Sequence, residues 1–305
     1  MSKALKGSLM VVIAGIAWGI SGVSGQYLMA NGVHVNLLTS LRLLVSGIAL
    51  TGLAFMTQRE RLMSAMKRKD VWLGIALFSL FGLLLNQYAY LSAIHYTNAG
   101  TATVLQYLTP VLILAVVCLK GRVMPTVGEL SAIILAILGT YIIATHGQWT
   151  SLAMTPKGLF WGLLSAVTYA LYILIPARLI RKLGSLIVIG PGMLLSGIFF
   201  PVAVQAWRYE LTFSTENVLA LIGIVGIGTI FAYTVFLKGT TIVGAVKGSL
   251  LASVEPIASV VFGILIMKET FYLIDLLGML LILLAVFLIS LKDLYQQKRH
   301  AAPKS

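Results

Sequence analysis

Residues 98–119 read NAGTATVLQYLTPVLILAVVCL, and residues 244–265 read GAVKGSLLASVEPIASVVFGIL. At an offset of 146, Ala99 matches Ala245, Thr103 matches Ser249, Tyr107 matches Ser253, and Thr109-Pro110-Val111 matches Glu255-Pro256-Ile257. Each stretch is apolar for long enough to cross a bilayer core as a helix, which takes about 20 residues. A second pair repeats nearer the start of each half. Gly15-Ile16-Ala17-Trp18-Gly19 recurs as Gly158-Leu159-Phe160-Trp161-Gly162.

Extending outward from these stretches gives ten apolar runs: 8–30, 36–56, 71–94, 98–119, 127–145, 158–180, 186–207, 217–238, 246–267 and 272–291. Backbone groups in lipid must satisfy one another, and the period-two alternation of a barrel is missing, so the runs are helices. The first run is too long, and too polar at Ser21, Ser24 and Gln26, to be a cleaved signal peptide. Five spans per repeat is an odd number, so the second half enters the membrane upside down relative to the first. The expected fold is an all-α integral membrane protein with ten transmembrane helices in two inverted five-helix repeats. The repeats cover 8–145 and 158–291, and a basic cytoplasmic tail follows at 292–305. Inverted repeats characterise secondary transporters, which hold cargo near the midplane between the halves.

Composition agrees. Hydrophobic residues make up 59% of the 305 and charged residues only 10%, with a net charge of +13. Soluble domains carry about 25% charged residues. A soluble fold, a disordered chain and a nucleic-acid-binding module are therefore excluded. A single cysteine, Cys118, excludes a disulfide framework within the chain and any multi-cysteine metal site. The longest loop, 57–70, has 14 residues, leaving no room for a soluble domain. No Gly-x-x-x-x-Gly-Lys-Ser/Thr stretch is present, which argues against ATP-driven pumping by this chain. With both termini placed in the cytoplasm, 18 Lys and Arg fall on that side and 3 on the other, Arg42 lying inside a span. That split sets the orientation and explains the net charge without nucleic acid.

With the paired Trp-Gly motifs, Tyr96-Thr97-Asn98-Ala99 leading to Thr109-Pro110, Gly244-Ala245 leading to Glu255-Pro256, and Lys268-Glu269 before the last span, the chain resembles the drug/metabolite transporter superfamily in its ten-helix EamA type. The resemblance covers both halves. It implies a central cavity lined by the first, third, fourth, sixth, eighth and ninth spans, with the fifth and tenth peripheral. It also implies a bacterial cell membrane. One departure is Gly121-Arg122, where the family often has Gly-Glu, so no gating role is assigned there.

Ionisable groups inside spans are costly and count as functional candidates. Glu255 leads them. Pro256 withholds an amide and frees the carbonyl of Ala252 for another partner. A carboxylate beside such a break suits proton or cation coupling, or serves as a counter-charge; as a purely structural group it would pair with Lys247 or a tyrosine. Arg42 either neutralises a substrate carboxylate or, the preferred reading, snorkels to the nearer headgroups or pairs with a helix end. Glu129 and Asp275, again 146 apart, complement helix dipoles.

Polar and aromatic stripes mark the expected cavity. Trp161, Ser165, Thr168 and Tyr172 share one helical face, and Gln87 shares a face with Tyr90. The candidate substrate-binding set is Trp18, Gln87, Tyr90, Tyr107, Trp161, Tyr172 and Tyr233, with Glu255 as coupling or counter-charge group. Its aromatics form an ammonium cage by cation–π attraction. The cargo so indicated is a small polar metabolite of the amino-acid or amine class. The alternative is a multidrug or toxic-cation exporter. Membrane lipid and a small-molecule substrate are the expected partners, with proton or cation coupling and no cofactor, metal or catalytic residue. A remote rival is an intramembrane serine protease, since Gly19-Ile20-Ser21-Gly22 and Gly22-Val23-Ser24-Gly25 fit Gly-x-Ser-Gly. Such a nucleophile needs a base, and His34, His95, His146 and His300 fall in loops, at a span end or in the tail.

Overall fold

The computed structural model describes residues 3–122, 124–146, 148 and 152–301, leaving aside the side chains of 245, 246 and 291–301. Ten helices in it are long and apolar enough to cross a membrane. Spans 1 to 5 are Lys3–Ala30, Val35–Met66, Lys69–Tyr96, Ala99–Gly121 and Val127–Thr145. Spans 6 to 10 are Pro156–Leu183, Ser185–Ala203, Thr215–Val243, Lys247–Met267 and Leu273–Ser290. An even count places both termini at one end of the bundle, the terminal end. The turns after spans 1, 3, 5, 7 and 9 lie at the far end.

The helices run past the apolar stretches. Most of 57–70, expected as a loop, continues span 2 as helix to Met66, bending at Gln58, whose φ/ψ is −142/38. Arg, Glu, Leu, Met and Ala dominate that segment and are good helix formers. Helix also continues beyond span 10 to Ala301, while 302–305 lie outside the described residues.

The repeat is kept in the backbone itself. Span 4 breaks after Gln106 and resumes at Thr109, and span 9 breaks after Ala252 and resumes at Glu255, so the offset of 146 is conserved. Both resumed helices carry proline at their second position. Arg122 and Lys268 end them in the left-handed region, at φ 48 and 57. Glu129 and Asp275 accept the backbone N–H of Thr126 and Tyr272, capping spans 5 and 10. Wide π-helical turns interrupt span 3 at Phe78–Leu84 and span 8 at Ile222–Phe231, again in register.

Across the repeats, span 1 packs on span 8, span 3 on span 6, span 2 on span 7 and span 5 on span 10. Small residues permit backbone contact. A Cβ on Gly139 would lie 2.6 Å from the Gly278 carbonyl, and one on Gly278 would lie 2.9 Å from that of Gly139. Close approach through small residues is how membrane helices gain dispersion energy without a hydrophobic drive.

Candidate functional site

A cavity of about 320 Å³ lies where the two helix breaks face each other. Trp18, Arg42, Gln87, Tyr90, Tyr107, Tyr172, Tyr233 and Glu255 all line it. So do Asn86, Gln106, Tyr169 and Phe236. Of the candidate substrate-binding set and Glu255, the structure brings together every residue except Trp161, and of the stripe through span 6 only Tyr172 reaches this cavity. Trp161 borders a separate cavity of about 260 Å³ at the far end.

Glu255 starts the second half of span 9, half-buried and turned to the cavity. The Ala252 carbonyl, freed by Pro256, does find a side-chain partner. The Tyr107 hydroxyl lies 3.1 Å from that carbonyl and 3.1 Å from Glu255 Oε2. One phenolic proton thus faces two acceptors. A protonated Glu255 satisfies both, donating to Tyr107 while Tyr107 donates to Ala252. An ionised Glu255 competes with the carbonyl for the same proton. The break in span 9 is therefore tied by hydrogen bonding to the protonation state of the carboxyl.

Arg42 does not snorkel. It is only 5% exposed, and its Nε donates to Thr229 Oγ1 at 3.1 Å. The π turn of span 8 explains this, because Thr229 reaches back to the carbonyl of Ile224, five residues earlier, and turns its oxygen inward. Arg42 Nη1 is buried without a hydrogen-bond partner among the described residues. A buried guanidinium donor left unmatched is expensive, so it asks for an acceptor from the cavity.

The aromatic wall is ordered by ring contacts. Trp18 meets Tyr233 edge-on at 5.6 Å and Phe236 at 5.0 Å. Tyr172 donates to the Tyr233 hydroxyl at 3.0 Å and stacks on Tyr169 at 5.6 Å. Tyr169 was not singled out from the sequence, although it stands three residues before Tyr172 and so shares its face. Ser165 and Thr168 are buried and bond back to carbonyls of their own helix, outside the cavity.

The cavity is closed toward the far end and open toward the terminal end. Thr103 gives its proton to the Ala99 carbonyl, so Tyr90 donates to Thr103 at 2.7 Å, with Ser259 3.3 Å away. Beyond them Gln26 joins three elements, donating to Glu269 Oε1 at 2.6 Å and accepting the Ala99 N–H at 2.8 Å. In the other direction the lining reaches exposed Ile173 and Ser249. A wider recess of about 650 Å³ between spans 4, 5 and 6 is apolar and opens on the lipid-facing side. No charged group is among the described residues lining it.

Ser21 and Ser24 serve helix packing. Ser21 points to the Ile224 carbonyl, and a Cβ on Gly228 or Gly223 would overlap Ser21 or Ser24. Of the histidines, His146 pairs with Asp275 at 3.0 Å and His34 caps span 2 through the Asn36 N–H. His300 lies outside the described side chains.

Ten spans in two inverted repeats around a central cavity with a helix break on each side are the architecture of a membrane transporter. The EamA-like transporter family matches residues 5–145 and again 156–291, and the chain belongs to it, within the drug/metabolite transporter superfamily. It is 38% identical over 292 residues to the uncharacterized inner membrane transporter YicL of Salmonella typhimurium, covering 95% of this chain and 97% of that one. It is 27% identical over 285 residues to the uncharacterized transporter YetK of Bacillus subtilis, covering 90% and 83%. A solved crystal structure superposes with a TM-score of 0.62 over 97% of this chain and 99% of its own, at 16% identity, a likeness of fold alone. The chain is a multi-pass membrane transporter.

Proposed function

We propose that this transporter carries a small zwitterion of the amino-acid class by alternating access. Glu255 and the aromatic wall of Trp18, Tyr172 and Tyr233 receive its ammonium group, and Arg42 receives its carboxylate. Gln87, Tyr90 and Tyr107 complete the polar lining. The observation that carries this reading is the unpartnered Nη1 of buried Arg42 on the wall of the cavity that also holds Glu255. Opposite charges on one small cavity suit a ligand that bears both. A lone cation, as in a multidrug exporter, leaves Arg42 unmatched and adds a like charge beside it.

Exchange of a proton at Glu255 supplies the coupling. Ammonium binding favours the ionised carboxylate, and loss of the ammonium lets a proton return and restores the Glu255–Tyr107–Ala252 chain. The basic terminal end faces the cytoplasm of a bacterial cell, and the cavity opens to that side.

The test is a ligand-induced stability screen on detergent-purified protein with amino acids, amines, nucleosides and sugars. A ligand at 100 times its Kd stabilises by about 2.7 kcal/mol. Amino acids are expected to raise the Tm of the wild type, and Glu255→Gln and Arg42→Gln each to abolish the shift. Stabilisation by neutral sugars or nucleosides alone rejects the zwitterion reading. Stabilisation by amines with no requirement for Arg42 turns it toward cation export.

A further inference from the structure

Trp18 and Trp161 occupy matching places in the two repeats, yet they line different cavities. Trp18 of span 1 meets Tyr233 of span 8 at 5.6 Å and 73°. Trp161 of span 6 meets Tyr88 of span 3 at 5.5 Å and 78°. The inverted symmetry that exchanges span 1 with 6 and span 8 with 3 also exchanges the two ends of the bundle. It maps the aromatic wall of the central cavity onto the far-end cavity around Trp161.

That cavity, about 260 Å³, is a box of rings. Trp161 and Tyr88 stand nearly perpendicular, and so do His95 and Tyr96, at 75°. Perpendicular aromatic faces are the geometry that holds an ammonium group. A cation already uses this surface, since the Lys157 ammonium lies 5.5 Å over the Tyr96 ring. No carboxylate is among the described residues lining the cavity, in contrast to Glu255 in the central one. His34 also lines it. Partial burial and the neighbouring His95 hold its imidazole below the ordinary value, and its Nδ1 accepts the Asn36 N–H, so it is no counter-charge for a cation.

We propose that the far-end cavity around Trp161, Tyr88 and Tyr96 is a second cargo station, which takes an ammonium group through ring faces alone. Without a counter-charge it binds more weakly than the central cavity, as a station outside the closed Gln26–Glu269 link requires. The inference rests on the reading that cargo carries an ammonium group. It does not need Arg42 or Glu255.

The experiment uses choline as probe and a protein in which Trp161 is the one indole, made by Trp18→Phe, Trp72→Phe, Trp149→Phe and Trp207→Phe. Choline is expected to change Trp161 emission along a saturable curve that survives Glu255→Gln. Tyr88→Leu should weaken that binding by about 5- to 20-fold, the worth of a ring face. Lys157→Gln should tighten it by about 2- to 5-fold, because a like charge leaves the rim. Should the multiple variant fail to fold, choline-induced stabilisation of Glu255→Gln is compared with that of Glu255→Gln/Trp161→Leu, and only the former should respond. A flat Trp161 signal, or one lost with Glu255→Gln, overturns the station. Amino-acid stabilisation through Arg42 and Glu255 with a silent Trp161 removes the station and leaves the proposed function standing. The reverse pattern keeps the station and removes the zwitterion.

Discussion

Spans 4 and 9 have the same break at the same register and differ in what stands at it. In span 4 the residue before the proline is Thr109, fully buried, its hydroxyl within 2.8 Å of the Gln106 carbonyl and 2.7 Å of the Ala166 carbonyl. In span 9 it is Glu255, half-buried; both residues border the cavity, but only Glu255 is partly exposed to it. Two residues earlier the contrast reverses. Tyr107 of span 4 reaches across to span 9, while its counterpart Ser253 only bonds back to Ser249. The duplicated backbone thus supplies two openings in the helical ladder. One is sealed with a hydroxyl, and the other is given a carboxyl and borrows its hydroxyl from the opposite repeat. A symmetric pair of breaks carries a carboxyl on one side only.

The strongest challenge to that contrast is to equalise it. Thr109→Glu buries a carboxylate against two carbonyls and should cost about 3–5 kcal/mol, read as a collapse of Tm or of folded yield. A folded Thr109→Glu protein with normal stability would mean that span 4 is as open as span 9. Next in size, Glu255→Gln should weaken amino-acid binding by about 100-fold, or about 2.7 kcal/mol, measured by equilibrium dialysis. Unchanged affinity would move Glu255 out of the binding site. Tyr107→Phe leaves the Ala252 carbonyl unmatched and should lower stability by about 1–3 kcal/mol. Its counterpart Ser253→Ala should stay within about 0.5 kcal/mol. Equal effects would show that the crossing hydroxyl is incidental.

The smallest test concerns the C-terminal ends of the same two helices. Arg122 and Lys268 both adopt a left-handed conformation that favours glycine. Arg122→Gly should stabilise by about 0.5–1 kcal/mol. Lys268→Gly should gain less, because it also removes the Lys268 Nζ bond to the Leu265 carbonyl. Chemical denaturation of the two variants side by side reads the difference.

Much of this was legible in the sequence because the causes are local. Apolar length marks a span, and an unbroken offset of 146 marks a repeat, so all ten spans and the inverted pairing follow from the sequence alone. The freed Ala252 carbonyl was also readable, since proline acts on its own helix. Two features were not. A helical stripe tells which face a residue is on but not which cavity it meets at a given height. Trp161 and Tyr172 share a face, yet 11 residues separate them by about 16 Å, too far for one small cavity. Arg42 depends on a partner in another span. Its burial rests on Thr229, and Thr229 is aimed by a π turn that residue spacing does not announce.

The glycine contact between spans 5 and 10 bears on how the molecule moves. Gly139 and Gly278 each lie against the other's carbonyl with no room for a Cβ, and Ile142, Ile143 and Ile282 flank the contact, so a slide or roll of either helix brings larger side chains into that narrow gap. On the proposed alternating access, this pair is the natural post about which the remaining spans rearrange. A covalent clamp joining spans 5 and 10 should therefore leave a working carrier, while a clamp across the Gln26–Glu269 link should stall it in one half of its cycle.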